Sequence, residues 1–126
     1  MTRGYRPLVA ISEAKQKTAS WGFDLITLET QKKIPFDFVI DDRGCTSLVR
    51  IRRVKSPQFG TADIERTCAQ EIQELRMLPV REGIFRELWV RGPGRAWYRY
   101  LVLPESVDEL LTSDEENRDY EGKNEP

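Results

Sequence analysis

Apolar positions along this chain recur with two periods. From Leu8 to Trp21 the spacing is helical, with Leu8, Ile11, Ala14, Lys15, Thr18 and Trp21 near one stripe. Pro7 suits a first turn and Gly22 a stop, so a helix is predicted over 8–21, with Glu13, Gln16 and Lys17 on its more polar side. Phe23 to Leu28 reads as a first strand and Thr30-Gln31-Lys32-Lys33 as a turn. Phe36 to Ile40 reads as a second strand, with Phe36, Phe38 and Ile40 on one face and Asp37 and Val39 on the other. Asp41-Asp42-Arg43-Gly44 closes a hairpin into a third strand, about 46–55, where Val49 and Ile51 face away from Arg50 and Arg52. Val54 is out of phase, which predicts a bulge or a strand end at Arg53.

Pro57 and Gly60 interrupt the pattern. Thr61 or Asp63 is expected to cap a helix to about Met77, with Ile64, Cys68, Ile72 and Leu75 as its apolar stripe. Ile84–Val90 and Trp97–Leu103 are strongly β-prone and flank Arg91-Gly92-Pro93-Gly94-Arg95, a hairpin signal. Pro104 ends the pair, and Ser106 is read as the cap of a short helix to Leu111. The order α-β-β-β-α-β-β predicts an α/β (α+β) fold, a mixed sheet of about five strands flanked by helices. Residues 1–112 are expected to form one domain; 1–6 should fray, and 113–126 is polar enough to be a disordered acidic tail.

Charge changes this picture modestly. The net charge of −1 hides an asymmetry: residues 1–112 hold 18 Lys/Arg against 15 Asp/Glu, and 113–126 hold 2 against 6. A weakly basic body with an acidic tail fits a nucleic-acid partner better than a uniformly acidic protein would, although the excess is small. With no histidine and only Cys45 and Cys68, the usual zinc sets, Cys-His pairs and Ser-His-Asp triads are excluded. Two cysteines without a CxxC spacing or a signal peptide are expected to be reduced thiols of a cytoplasmic protein. Apolar runs are far too short for a membrane span.

The leading helix, Asp37 in the second strand, the short hairpin turn and the polar-ended third strand before a helix resemble the PD-(D/E)XK nuclease fold. The likeness is to its small archaeal Holliday-junction-resolvase-like branch and covers roughly 7–103. The resemblance implies a site in which an Asp and a Glu-x-Lys hold Mg²⁺ or Mn²⁺, often with a carboxylate from the first helix, and the Lys serves the attacking water. Carried over, Asp37 matches the Asp, Glu13 the helical carboxylate and Lys55 the Lys, so Asp37 and Lys55 are catalytic candidates and Glu13 and Asp37 metal candidates if the site is active. Two registers compete on the third strand, Arg50-Ile51-Arg52 and Arg53-Val54-Lys55, and in both an arginine stands where the Glu belongs. A positive charge there opposes a divalent ion.

A different function follows from the same substitution. Arg50, Arg52, Arg53 and Lys55, with Arg43 in the preceding turn, supply charge-assisted contacts to phosphates without a metal. Arg91, Arg95 and Arg99 with Trp97 and Tyr98 add a second basic and aromatic group suited to backbone contact and base stacking. The expectation is a nucleic-acid binder of nuclease-like fold, without cofactor or catalysis, that favours DNA over RNA. Three alternatives stay open. One is an active Mg²⁺- or Mn²⁺-dependent endonuclease with a rearranged carboxylate site; another is an interaction module that dimerises through the 84–103 hairpin and its Leu88-Trp89-Val90 run. In the third, the arginines merely pair with Glu65, Glu71, Glu82 and Glu87 and the aromatics are core.

Overall fold

A computed structural model of the chain describes residues 7–26, 34–57, 60–79 and 81–111, and the side chain of Arg95 lies outside that description. The elements are α1 (Leu8–Ser20), β1 (Asp24–Ile26), β2 (Phe38–Asp42), β3 (Cys45–Arg53), α2 (Thr61–Thr67), α3 (Ala69–Arg76), β4 (Ile84–Arg91), a 3-10 turn (Pro93–Arg95), β5 (Trp97–Val102) and β6 (Val107–Leu110). The six strands lie side by side in chain order. All neighbours are antiparallel except β3 and β4, which are parallel and joined by α2 and α3. A parallel pair needs such a crossover, because its chain must return to the starting end of the sheet.

The sheet is covered on both faces. On one, Ala10, Ile11 and Ala14 of α1 pack with Trp21, Phe38, Ile40, Val49, Ile51, Trp89 and Trp97. On the other, Ile64, Cys68, Ile72 and Leu75 of the crossover pack with Val54, Leu88, Val90, Tyr100 and Val102. Central β4 is accordingly buried along five consecutive residues, Arg86 to Val90, as expected for a strand with a helix on each side. Leu88, Trp89 and Val90 are fully buried, so this run is interior and does not present the apolar self-association surface expected of it.

Local chemistry accounts for most boundaries. Arg43 and Gly44 both have positive φ, 54° and 87°, in the two-residue turn closed by Asp42 and Cys45. That geometry matches the twist of a hairpin and suits glycine at its second position. Gly60, with φ 90° and ψ 178°, occupies the N-cap of α2, a conformation closed to other residues; Thr61 and Asp63 lie inside the helix instead. Asp63 in the first turn pairs with Arg66.

Four expectations are corrected. The predicted helix to Met77 is two helices with Cys68 at the junction, although Cys68 N–H still bonds to Ile64 O and Ile72 N–H to Cys68 O. Leu8 is 67% exposed, and Ala10 takes its place on the buried stripe of α1. Phe36 packs against the α2–α3 core while Phe38 and Ile40 join the α1 core, so strand alternation fails at Asp37. The segment after Ser106 is β6 and not a helix, giving six strands and not five. β6 satisfies the outer backbone groups of β5 and buries Val107, leaving Asp108 and Glu109 outside. The phase break at Arg53 is, of its two readings, the strand end, and Val54 belongs with Arg50 and Arg52 to the α2–α3 side.

Candidate nucleic-acid interface

Asp37 sits where β2 begins, and its backbone and side chain bracket Arg50. Its N–H bonds to Val49 O at 2.7 Å, and its Oδ2 accepts the Ile51 N–H at 2.7 Å. Arg50 Nη1 in turn donates to Pro35 O at 3.2 Å. Of the two registers weighed on β3, Arg50-Ile51-Arg52 therefore lies beside Asp37, and Lys55 falls past the strand end.

Arg50 and Arg52 turn toward α3. Arg50 Nη1 donates to Glu74 Oε2 at 2.6 Å with the guanidinium side chain 7% exposed, and Arg52 Nη1 donates to Glu71 Oε1 with the side chain 39% exposed. Residues two apart on a strand and three apart on a helix share a face, so the two pairs form a ladder clamping β3 to α3. Beneath it lies the thiol of Cys68, which burial pushes up from 9.0 to about 11; Glu71 adds to that rise, and Arg52 and Arg50 oppose it. Both glutamates were legible as acidic residues, but only the crossover packing brings them to β3.

These residues do not fit a divalent cation. Asp37 is engaged by a backbone N–H, Glu71 and Glu74 are engaged by guanidinium groups, and arginines occupy the strand positions beside Asp37. Glu13 is elsewhere, accepting from Arg91 Nε at 2.9 Å. Among the described residues no three Asp, Glu or Cys are grouped to hold a metal ion.

The remaining nominated cations divide by position. In the parallel register Arg53 is beside Arg91, and Val54 N–H bonds to Arg91 O at 3.0 Å. The end of β3, with Arg53 and Lys55, therefore meets the β4–β5 turn, which carries Arg91 and Arg95. Arg53 and Lys55 are exposed, and Arg91 is half-buried on Glu13. Next to them a cleft of about 580 Å³, lined by Glu13, Gln16, Lys17, Ser20, Arg91 and Trp97, opens between α1 and this turn. Arg43 is exposed but occupies the β2–β3 turn at the opposite end of the sheet, roughly 30 Å along β3 from Arg53.

The aromatic and arginine group on β5 belongs mostly to the interior. Trp97 is 4% exposed, and Tyr98 packs against the α2–α3 core. Arg99 donates through Nε and Nη2 to Glu87 Oε1, at 3.0 and 2.8 Å, and stacks 4.6 Å from the Phe23 ring centroid. Glu87 also accepts Trp89 Nε1 at 3.0 Å, so this buried carboxylate satisfies three N–H donors from two side chains at once. Arg86 spends its guanidinium on the carbonyls of Leu75, Arg76 and Leu78 at the end of α3.

No protein-family model matches the chain, and no curated protein matches it. Among solved structures it is similar to Hjc, a Holliday junction resolvase from the archaeal hyperthermophile Archaeoglobus fulgidus, at a TM-score of 0.54 and 16% identity, over 85% of this chain and 88% of that one. The fold is that of the PD-(D/E)XK nucleases, as the resemblance implied. No helix among the described residues is long and apolar enough to cross a membrane.

Proposed function

We propose that this nuclease-fold protein binds nucleic acid, DNA in preference to RNA, through phosphate contacts at the Arg53–Lys55 end of β3 and makes no metal-dependent cut. The observation that supports the reading is the division of labour on one strand. Arg50 and Arg52, beside Asp37, are engaged by Glu74 and Glu71, while Arg53 and Lys55 are exposed next to Arg91. Exposed cations on a rigid strand end give salt-sensitive, largely sequence-independent contacts to a phosphate backbone. The Hjc likeness favours DNA, the substrate class that a Holliday junction resolvase handles.

On this reading Arg50 is part of the scaffold and not of the grip. Arg52, partly exposed, contributes at the margin, and Arg91 holds the β4–β5 turn and its Arg95 in place through Glu13. The test is fluorescence anisotropy of labelled four-way and linear duplexes against the full chain in EDTA, across a salt series. Binding in EDTA that weakens steeply with salt supports the proposal. Absence of binding at low salt to either duplex removes it.

A further inference from the structure

Three residues stand in one row at the end of the sheet. Arg53 of β3 is in register with Arg91 of β4, and Arg91 with Trp97 of β5. Register partners project to the same face, and Trp97 belongs to the core packed against α1, so all three lie on the α1 face. Neighbouring strands are about 4.8 Å apart, which puts Arg53 roughly 10 Å from Trp97, with Arg91 between them.

Over this row α1 presents a polar stripe. Glu13, Gln16, Lys17 and Ser20 are spaced i, i+3, i+4 and i+7, on one side of the helix, next to its buried stripe of Ala10, Ile11, Ala14 and Thr18. With Arg91 and Trp97 they line the cleft of about 580 Å³, a size within the range of about 300–1,000 Å³ typical of small-ligand sites. Trp97, 4% exposed, supplies an apolar floor. The walls offer both senses of hydrogen bond: the Gln16 amide and the Ser20 hydroxyl donate and accept, Lys17 donates, and the Glu13 carboxylate only accepts. Arg91 spends Nε on Glu13 and Nη1 on Gly92 O, which fixes the wall where helix and turn meet.

This mixture selects the class of ligand. A phosphate only accepts hydrogen bonds, and the Glu13 carboxylate repels it. A nucleobase carries donors and acceptors along one edge and an apolar face, the complement of such a lining. Inside a duplex that edge is already paired and stacked, so the nucleotide must be unpaired. The exposed guanidinium of Arg53, two strands from Trp97 on the same face, suits the phosphate attached to that base.

We propose that the cleft between α1 and the β4–β5 turn is a subsite for the base of an unpaired nucleotide whose phosphate sits on Arg53. The strand that supplies the nucleotide rests on the function proposed above; occupancy of the cleft does not, and the two are separable by experiment.

The experiment compares the full chain with a Gln16→Ala, Ser20→Ala double variant. Both positions are exposed on α1 and alanine favours a helix, so the variant should fold, which its thermal melt checks. Anisotropy in EDTA is measured on one labelled duplex in three forms: blunt, with a short single-stranded cytidine extension, and with an abasic extension of equal length. Cytidine is chosen because its amine donates to a carboxylate such as Glu13. The cytidine form should bind about fivefold or more tightly than the abasic form, and that ratio should fall toward one in the variant. Equal binding of the cytidine and abasic forms means that only added phosphates are read and overturns the subsite, leaving the duplex reading intact. A ratio unchanged in the variant places the base elsewhere and also overturns it.

A second arm needs no duplex. Adding dCMP should shift the ¹⁵N resonances of Gln16, Ser20 and the Trp97 indole, and inorganic phosphate at the same concentration should not. Equal shifts with phosphate, or none with dCMP, overturn a base in the cleft. Shifts with dCMP but no preference for the cytidine extension assign the cleft to a free nucleotide and overturn the strand subsite. If none of the three duplexes binds, the nucleic-acid reading fails and the strand subsite with it, while the dCMP result still decides whether the cleft takes a base.

Discussion

The carboxylate of Asp37 accepts the backbone N–H of Ile51 at 2.7 Å, in a buried setting just ahead of β2 where β3 continues past its partner. The residue that a metal nuclease would use as a ligand here completes a strand. Replacing it removes the acceptor and leaves a buried N–H unpaired, at a cost of about 1–3 kcal/mol. Asp37→Ala is therefore expected to lower stability by that amount in urea denaturation, while duplex affinity per folded molecule changes less than twofold. A stability within experimental error of the unaltered protein would contradict the role assigned to this carboxylate.

The Arg50–Glu74 pair gives a sharper stability test. Glu74→Gln strands a guanidinium that is 7% exposed, and losing one member of a buried pair costs about 3–5 kcal/mol. Replacing both by methionine removes the charges together and is expected to stay within about 1 kcal/mol of the native value. The Arg52–Glu71 pair is more solvated at Arg52, so Glu71→Gln is expected to cost less, about 1 kcal/mol. A double replacement at Arg50 and Glu74 as damaging as the single one would show that the pair is not the unit described.

Position predicts which cations matter for binding. Arg53→Ala and Lys55→Ala should each weaken duplex binding and lower the slope of log affinity against log salt by about 1. Arg43→Ala, at the other end of the sheet, should leave both within twofold. Equal effects from all three would mean that the two ends bind as one surface.

The two thiols should separate in reactivity and in pH dependence. Cys45 is exposed and Cys68 buried, so a thiol reagent should label one site per native chain rapidly. Because the folded pKa of Cys68 is raised to about 11 from 9.0, its contribution to stability is fully present below pH 9. It is lost as the pH rises toward 11, since only the unfolded state releases the proton. Denaturation at pH 8 and pH 10.5 should show a smaller loss for Cys68→Ala than for the unaltered protein; equal losses would contradict that thiol environment.

How far the sequence discloses this molecule depends on the range of each interaction. The Arg43-Gly44 hairpin, the Ile64-Cys68-Ile72-Leu75 stripe and the β4–β5 pair are set by neighbours within a few residues, and all are legible. β6 is not, because a four-residue segment takes its state from the free edge of β5. The break in alternation between Phe36 and Phe38 depends on Asp37 bonding to Ile51, fourteen residues on. For the site, the arginine in place of a carboxylate was visible, and so was a pairing of arginines with glutamates. Which ones pair was not: Arg50 finds Glu74 across 24 positions only because the crossover lays α3 on β3, whereas Glu65 and Glu82 are exposed.

The most direct test of the account is electron paramagnetic resonance of Mn²⁺ titrated into the full chain at near-physiological salt, with Asp37→Ala beside it. If guanidinium–carboxylate pairs occupy the metal's place, free-ion signal should persist at one equivalent of Mn²⁺ with submillimolar protein, and the two proteins should behave alike. Loss of the signal at one ion per chain, abolished by Asp37→Ala, would contradict it.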